Sequence, residues 1–555
     1  MVNVYLRKND ELPRKISRSP QRRVHPPDKA IDGFEACRTL QSMKSHPFHH
    51  ARTVWTSRFF GVGVWLATNG PLLLAAPEVA PAGETRAAGK TDGAPPNARE
   101  LRGMAPERLH EHGRALASTG KLPEAIEAYR VLVERKPELS AARRELATLL
   151  LQTADNAGAV EQYNELIRLD PKDADAHHHL GVALYRQGKS SQGIAAMVEA
   201  LRLKPDLVGA RSDLGVVLLQ ENRLMEASSL YGEAVRMSPK DAGLHNDYGV
   251  VLIKAGDQDG AQASFAEAVR LNPKHVDAHH NLGQILLNKW KLDDAIRSFR
   301  TAAQLDPTYS DAAMGLGRAL SRRGSHEEAA TWFEKAIELA PRYADAHYEL
   351  ALELLAMGKQ QAAVGELTTA LRHNPQHGEA HLELGVTMLA QGKPAVALPQ
   401  LRAAVRERPQ DARAHYELAR CCVRLGDHER AIASFREALR LRKDWPEASR
   451  QLAWVLATSP QDALRDGAEA TRLADGATHD AQRLLPVCLD TLAAARAETA
   501  NFDEALKLEP RAIEAAKGLG DDQMRVEFEK RFDDYRKKKP YRETLKQPDK
   551  LPAAK

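Results

Sequence analysis

The sequence has few of the residues that build disulfide-linked or catalytic domains. It contains four cysteines in 555 residues, and Cys421 and Cys422 are adjacent, so no disulfide framework is expected. A bridge between neighbours in one helix would be strained, and reduced, buried thiols are the simpler interpretation. The sequence also lacks a Walker loop, a nucleophile elbow, a Cys-x-x-Cys pair and a His-Glu-x-x-His motif. We therefore predict no enzymatic activity and no cofactor.

Positive charge is concentrated in one segment. Residues 1–58 contain 12 Lys or Arg and 5 Asp or Glu, whereas the whole chain has a net charge of +4. The rest of the chain is therefore slightly acidic. A basic excess limited to the amino-terminal segment does not favour a nucleic-acid partner, and we predict that residues 1–58 form a disordered basic leader.

Long apolar runs are also scarce. The one such run covers residues 59–76; Arg52 and Arg58 precede it, and Ala80-Pro81-Ala82 follows it. A positive flank, an apolar stretch and small residues in that order are typical of a secretory signal peptide. Residues 59–82 are thus predicted to hold the apolar region and cleavage site of an export signal, and the protein to work in the periplasm or cell envelope. Membrane contact is expected only if this run is a retained anchor.

Other interpretations of this region stay open. A signal this far from Met1 is unusual, and Met43 would be a start at the normal distance. Asn69-Gly70-Pro71 would interrupt a membrane-spanning helix, and the run is short for a bilayer. A retained membrane anchor and a cytoplasmic protein with a disordered leader are the alternatives. Residues 83–104 are rich in Ala, Pro and Gly and are predicted to be a flexible linker.

What the sequence does contain is a 34-residue period. Nine prolines recur at this spacing without a slip: Pro137, Pro171, Pro205, Pro239, Pro273, Pro307, Pro341, Pro375 and Pro409. With proline placed at position 32, positions 8 and 20 carry Gly or Ala and position 24 a large apolar residue, as in Gly283, Ala295 and Phe299. Two antiparallel helices that cross closely need small residues at the crossing and a large residue beside it. Proline then ends the second helix of each pair.

These residues resemble the tetratricopeptide repeat. Leu282-Gly283, Ala295, Phe299 and Pro307 match its signature, and 34 residues is its period. The resemblance implies an all-α fold, a right-handed superhelical solenoid of antiparallel helix pairs, whose inner face is made mostly of the first helices. It covers about three quarters of the chain.

The repeats are regular first and degenerate later. Ten regular repeats run from 106 to 445, although Lys443 takes the place of proline in the tenth. Residues 446–519 are predicted to form two degenerate repeats and residues 520–543 a capping helix, because the outermost face of an array meets water and is often atypical. Residues 544–555 are predicted to be a disordered tail.

The resemblance places positions 2, 5, 6, 9, 12 and 13 on the inner face, which forms a groove. Position 6 is mostly acidic or an amide, and position 13 is mostly cationic or polar. The candidate partner-binding residues are Asp213, Asp247, Asn281, Glu349, Glu383 and Glu417 at position 6, and Arg186, Lys254 and Arg322 at position 13. An acidic track beside a basic one would hold an extended peptide that is neutral to basic. A solvated helix face with charge pairs of its own is the alternative.

The array also resembles the repeat arm of O-linked N-acetylglucosamine transferases. The shared feature is Ala-His-x-x-Leu-Gly, as in the segment from Ala278 to Gly283. That family has a row of asparagines at position 6, of which only Asn281 is matched here, and it needs a large catalytic region after the repeats. Only 12 residues, 544–555, follow the predicted cap. Transferase activity is therefore not supported, and 520–555 is too short to build another active site.

Histidine occupies position 4 in six repeats: His177, His245, His279, His347, His381 and His415. Neighbouring repeats lie roughly 10 Å apart, the packing distance of helices. Zinc needs its ligands about 2 Å from one ion. We therefore predict no metal site, and expect imidazole to fill the slot that larger aromatic side chains usually take between helices.

Together these patterns predict a non-catalytic scaffold that binds a peptide or protein partner in its groove. The alternative is a regulatory or substrate-recruiting arm for a separate enzyme, such as a glycosyltransferase.

Overall fold

The computed structural model describes residues 98–479 and 485–543, which contain 26 α-helices, one short 3-10 helix and no β-strand. The predicted leader (1–58), the predicted export signal (59–82), the linker up to residue 97 and the tail (544–555) lie outside the described residues. The all-α prediction is confirmed. The handedness of the solenoid stays a prediction.

Twenty helices form the ten regular repeats, two in each. The first helices are α2 Pro106–Ser118, α4 Ser140–Gln152, α6 Ala174–Arg186, α8 Val208–Gln220, α10 Ala242–Lys254, α12 Val276–Asn288, α14 Ser310–Arg323, α16 Ala344–Ala356, α18 Gly378–Ala390 and α20 Ala412–Arg424. The second helices are α3 Leu122–Arg135, α5 Asn156–Leu169, α7 Ser190–Leu203, α9 Leu224–Met237, α11 Gln258–Leu271, α13 Leu292–Leu305, α15 His326–Leu339, α17 Gln360–His373, α19 Pro394–Glu407 and α21 His428–Leu441.

A short helix, α1 (Ala98–Gly103), precedes this array. It occupies the end of the segment that the sequence predicts to be a linker, so the linker prediction is wrong for residues 98–103. Leu101 is buried, α1 packs on α3, and Arg135 donates a hydrogen bond to the carbonyl oxygen of Met104. Apolar burial against the first repeat explains why this polar-looking stretch is helical.

The two helices of a repeat pack through small residues at positions 8 and 20 and a large residue at position 24. A Cβ added to Gly283 would lie 2.9 Å from the ring of Phe299, and one on Gly249 would lie 2.6 Å from the ring of Phe265. Ala295, at position 20, is fully buried at the same crossing. Because heavy atoms do not approach that closely, a side chain at Gly283 or Gly249 would displace the ring in these repeats, whereas the rings of repeats two and ten are accommodated beside Ala147 and Ala419. The predicted roles of positions 8, 20 and 24 are confirmed.

The turn inside each repeat needs a left-handed residue at position 15. Gly392 and six other glycines take a positive φ there. Ala154, Asn222 and Trp290 adopt the same conformation in their repeats, with φ of 62°, 58° and 59°. Glycine adopts this conformation without strain, whereas a residue that has a Cβ adopts it only at a cost in free energy. The turn geometry is therefore kept even where the sequence does not favour it.

Position 4 joins each repeat to the one before it. A ring Nε2 donates to the carbonyl oxygen of the preceding position-32 proline, over 3.0 to 3.2 Å, in His177, His245, His279, His347, His381 and His415. Arg143 and Arg211 reach the same carbonyl in their repeats. These imidazoles are therefore hydrogen-bond donors as well as the space-filling groups that the sequence predicts. Repeat seven has Ala313 at this position and lacks the bond.

The first helices line one side of the array, which we call the inner face. Successive first helices contact one another directly, as α12 does with α14 and α18 with α20. In the described ranges no pair of successive second helices makes contacts as extensive. The inner face is therefore the side on which side chains from adjacent repeats come together.

Five helices close the array. They are α22 Pro446–Thr458, α23 Gly467–His479, α24 Leu485–Glu498, α25 Phe502–Leu519 and α26 Asp522–Arg536, and the 3-10 helix Asp462–Leu464 lies between the first two. The last of these packs on α25. A left-handed Gly520 ends α25, and residues 537–543 leave α26 as irregular chain.

The second degenerate repeat, formed by α24 and α25, has a buried carboxyl group where the regular repeats have an apolar side chain. Glu509 holds position 24 and is fully buried. Burial and the neighbouring Asp490 raise the pKa of Glu509 well above its ordinary value. Asp490 forms an ion pair with Arg531 of α26 at 2.8 Å. The cap is thus attached through a buried polar cluster.

We expect His279→Phe to destabilise the array by about 1 kcal/mol, because the ring is retained but the donor to the Pro273 carbonyl is lost. Guanidinium chloride unfolding followed by circular dichroism measures the change. If position 4 only filled space, phenylalanine would be neutral or stabilising, and that result would contradict the assigned role.

We expect Glu509→Gln to stabilise the closing helices at pH 8 by at least about 1 kcal/mol, since one pKa unit corresponds to about 1.4 kcal/mol. The folded state holds the Glu509 proton more tightly than the unfolded state does, so stability falls as pH rises above the ordinary glutamate pKa. Hydrogen exchange in α24–α26 measures it, with the exposed Glu514→Gln as control. Equal pH dependence in both variants would refute the prediction.

Candidate binding surface on the first helices

The predicted position-6 residues lie on the inner face, but several are buried. Asp213, Glu383 and Glu417 are each 6 to 7% exposed, and Asn281 is 1% exposed. Asp247 and Glu349 are half-buried. Position 6 therefore faces the neighbouring first helix as much as the groove, which is why its side chains meet residues of the next repeat.

Four of the five position-6 acids pair with a basic side chain of the chain, three in ion pairs with arginine and Asp213 in a hydrogen bond with His178. Each pair joins a carboxylate to a basic group on the same or an adjacent first helix. The pairs are Asp213 with His178 (2.8 Å), Glu349 with Arg318 (3.0 Å), Glu383 with Arg413 (2.5 Å) and Glu417 with Arg420 (2.8 Å). A buried carboxylate without a partner would be costly, and these basic residues meet that need.

The position-13 arginines are also engaged. Arg186 and Arg322 each donate to the carbonyl oxygen at position 12 of the preceding first helix, over 3.3 and 3.0 Å. Arg424 makes the same bond to Leu389 at 2.5 Å. These carbonyls belong to the last turn of a helix, where cations interact favourably with unpaired acceptors. Lys254, in contrast, is exposed.

The structure therefore corrects the expectation of two open charged tracks. The sequence placed the charges on the right face, but it did not show that most are used between repeats. Whether any of the nine predicted residues contacts a partner stays a prediction. The exception to internal pairing lies in repeats five and six.

Asp247 is the unpaired acid of position 6. Within residues 98–479 and 485–543 no lysine, arginine or histidine forms an ion pair with it, and its one hydrogen bond comes from Asn246 at 3.3 Å. Burial raises the pKa of Asp247 to about 6, and the carboxylates of Asp241 and Asp277 add to the effect. A cation placed beside Asp247 would reverse this shift.

Asn246, which the sequence did not single out, links Asp247 to polar side chains of the next first helix, α12. Asn246, His280 and Gln284 are all buried, and Asn281 donates to the Oδ1 of Asn246 at 3.1 Å. The Oδ1 of Asn281 and the Nδ1 of His280 are buried without a hydrogen-bond partner in the described part of the chain. We call Asn246, Asp247, His280, Asn281 and Gln284 the central polar segment.

Burial sets the charge of the central polar segment. It lowers the pKa of His280 to about 4, so this imidazole is neutral near pH 7. The ring of His280 packs edge-on to Phe299, with centroids 5.4 Å apart. The segment therefore offers neutral donors and acceptors and one carboxyl group. Only one feature of the sequence could have indicated this segment. Gln284 is polar at position 9, where the two preceding repeats have Val216 and Val250.

The described residues hold no group of three or more His, Cys, Asp or Glu side chains placed to bind a metal ion. Cys421, Cys422 and Cys488 are free and buried, and burial raises the pKa of Cys421 to about 12. Such a thiol is a poor nucleophile. As far as the structure describes the chain, no helix has the length and apolar character of a membrane span.

Comparison with known families matches two models. A tetratricopeptide repeat model matches residues 178–242, 212–275, 246–310, 281–344, 348–392 and 387–448, and a TPR repeat model matches residues 149–188. No curated protein matches the chain.

Several solved structures are similar to parts of the chain. YrrB, described as a TPR protein with an unusual peptide-binding site, is 24% identical over 36% of this chain and 100% of its own, with a TM-score of 0.31. MamA is 25% identical over 29% of this chain and 95% of its own, with a TM-score of 0.28. Pseudomonas aeruginosa pilF is 20% identical over 37% and 95%, with a TM-score of 0.33.

We expect Asp247→Asn to stabilise the array at pH 7.5 by about 1 to 2 kcal/mol. The folded carboxyl, with a pKa of about 6, holds its proton more tightly than the unfolded one does. Its contribution to stability is therefore present at pH 4 and is lost as pH rises through 6. Unfolding midpoints from pH 4 to 8 measure this, with Asp293→Asn on the exposed face of α13 as control. A variant less stable than wild type at pH 7.5 would contradict the prediction.

Proposed function

Because the chain belongs to the tetratricopeptide repeat family, and its repeats form a protein-interaction scaffold, we propose that a partner peptide or protein segment binds to the inner face at the central polar segment. The observation that supports this most is an incomplete set of hydrogen bonds. Buried polar atoms in native structures nearly always have partners. The Oδ1 of Asn281 and the Nδ1 of His280 lack one among the described residues.

The chemistry of the segment indicates what it would recognise. An amide side chain presents a donor and an acceptor, which complement the carbonyl and N–H of an extended main chain. Such contacts recognise a peptide without specifying its sequence. Both groups of the Asn246 amide are engaged by Asp247 and Asn281. The Oδ1 of Asn281 and the amide of Gln284 are therefore the groups proposed to meet the peptide, after a shift of these buried side chains.

Asp247 would add selectivity for a basic side chain. Its carboxyl group forms no ion pair within the described residues, and the carboxylates of Asp241 and Asp277 add negative charge nearby. A lysine or arginine of the ligand would lower the raised pKa of Asp247 and release a proton on binding. We therefore propose a ligand that is neutral to basic, whose affinity increases with pH through about 6.

The proposed role is non-catalytic. The regular repeats, the closing units and their internal bonds account for most of the described chain. A regulatory or recruiting arm for a separate enzyme would use the same surface and would differ only in its partner. Co-purification with one stable enzyme would favour that alternative.

We also propose that the protein is exported to the periplasm or cell envelope. This rests on the order of charge, apolar run and small residues in residues 59–82. Amino-terminal sequencing of the mature protein tests it. A cut after Ala82 or close to it is the expected result, and an intact Met1 in a cytosolic fraction would contradict export.

We expect Asn281→Ala and Asp247→Asn each to weaken binding of the best peptides from an immobilised peptide library about tenfold, the effect of losing one charge-assisted or buried hydrogen bond. Asp293→Asn is the matched control and should bind as wild type does. Circular dichroism checks that each variant is folded.

Measuring both the stability and the peptide binding of Asp247→Asn makes this test specific. Asp247→Asn should be more stable than wild type at pH 7.5 and yet bind basic peptides less tightly. The proposal would be contradicted if the peptides lost in Asp247→Asn were mainly acidic, or if neither variant altered binding.

A further inference from the structure

A second, oppositely charged cleft lies at the carboxyl-terminal end of the regular array. It is an open cleft of about 290 Å³ between α20, the first helix of repeat ten, and α22, the first helix of the closing units. Arg420, Arg424 and Arg450 line it, together with Trp454 and Glu543. Three guanidinium groups around one cleft favour an anionic ligand group.

The three arginines are only partly used by the chain. Arg420 pairs with Glu417 at 2.8 Å, and Arg424 donates one bond to the Leu389 carbonyl. The Nε of Arg450 is buried and has no hydrogen-bond partner among the described residues. Because each guanidinium has five N–H donors, further acceptors can be bound without breaking these contacts.

The chain itself places one carboxyl group at this cleft. After α26, residues 537–543 turn back along α22, and the backbone N–H of Glu543 donates to the Thr458 carbonyl at 2.9 Å. Tyr541 packs against Trp454 with ring centroids 5.8 Å apart, and the guanidinium of Arg531 lies 4.9 Å from each of these two rings. These contacts hold residues 537–543 against the inner-face side of α22.

Glu543 is held there without its charge being fully satisfied. Its side chain lines the cleft, and its Oε2 is buried with no hydrogen-bond partner in the described ranges. A carboxylate beside arginines that does not complete a bidentate pair is poorly matched to its site. A better-placed carboxylate from outside could replace it.

We propose that this arginine cleft binds an acidic side chain of a partner peptide, and that Glu543 is an internal competitor for the same site. The inference rests on the proposed function, since it assigns a second contact to a ligand on the inner face. The ligand would then have a basic residue at the central polar segment and an acidic residue towards the closing units. The two opposite charges would give the bound segment one direction along the array.

The experiment uses fluorescein-labelled hexaglutamate and hexaglutamine with the full-length chain, and measures binding by fluorescence anisotropy. Hexaglutamate should bind more tightly than hexaglutamine, and only hexaglutamate binding should respond to variants of the cleft. Glu543→Gln should tighten hexaglutamate binding about fivefold, because it removes the internal carboxylate. Arg450→Ala should weaken it at least about tenfold, the effect of one lost charge-assisted bond. Arg440→Ala, an exposed arginine on α21, is the matched control and should have no effect.

Two results would overturn the proposal: equal binding of the two peptides, or hexaglutamate binding that is the same in Arg450→Ala, Glu543→Gln and Arg440→Ala. If Arg450→Ala does not fold, the surface variant Glu543→Gln decides alone. Asp247→Asn should leave hexaglutamate binding unchanged. If basic peptides fail to bind at the central polar segment while hexaglutamate binds as predicted, the proposed function is wrong and the arginine cleft stands. If hexaglutamate fails to bind as predicted while basic peptides do bind, only the arginine cleft is wrong.

Discussion

The close crossing of the two helices in each repeat is the constraint on which the rest of the structure depends. Where position 8 is glycine, the side chain at position 24 occupies the space that a Cβ would need, as Phe299 does beside Gly283. That contact fixes the distance between the helices and therefore the spacing of the first helices. Hydrogen bonds from position 4 to the preceding proline carbonyl then join one pair to the next. The inner face is a consequence of these two repeated contacts rather than of any special binding residue.

Charge on the inner face serves two purposes that the structure separates. Where a carboxylate and a basic group of adjacent first helices meet, as Glu383 and Arg413 do, the charges join repeats and leave little field in the groove. In repeats five and six this pairing fails, and Asp247 stays in a partly buried site with a raised pKa. We propose that the scaffold gains selectivity for its partner where this internal pairing is incomplete. The central polar segment and the arginine cleft are two such places, of opposite sign.

The fold could be predicted from the sequence because its causes lie within one repeat. Small, small and large residues at fixed positions recur ten times, and each repetition supports the same interpretation. The bonds of position 4 could also have been found, since a histidine or arginine follows eight of the nine prolines by six residues. The pairing of position 6 could not, because partners such as Arg318 and Arg413 come from different positions in different repeats. The contact of Glu543 with α22 could not be predicted either, because residues 537–543 reach α22 through a turn that has no sequence periodicity.

Site-specific photo-crosslinking in the cells that produce the protein tests the central claim most directly. A benzophenone amino acid at Lys254, exposed on the inner face, should give a cross-linked partner band, and one at Asp293, on the second helix α13, should give none. The Lys254 band should weaken when Asp247→Asn is added. Equal capture from both positions, or capture from Asp293 alone, would contradict an inner-face binding site.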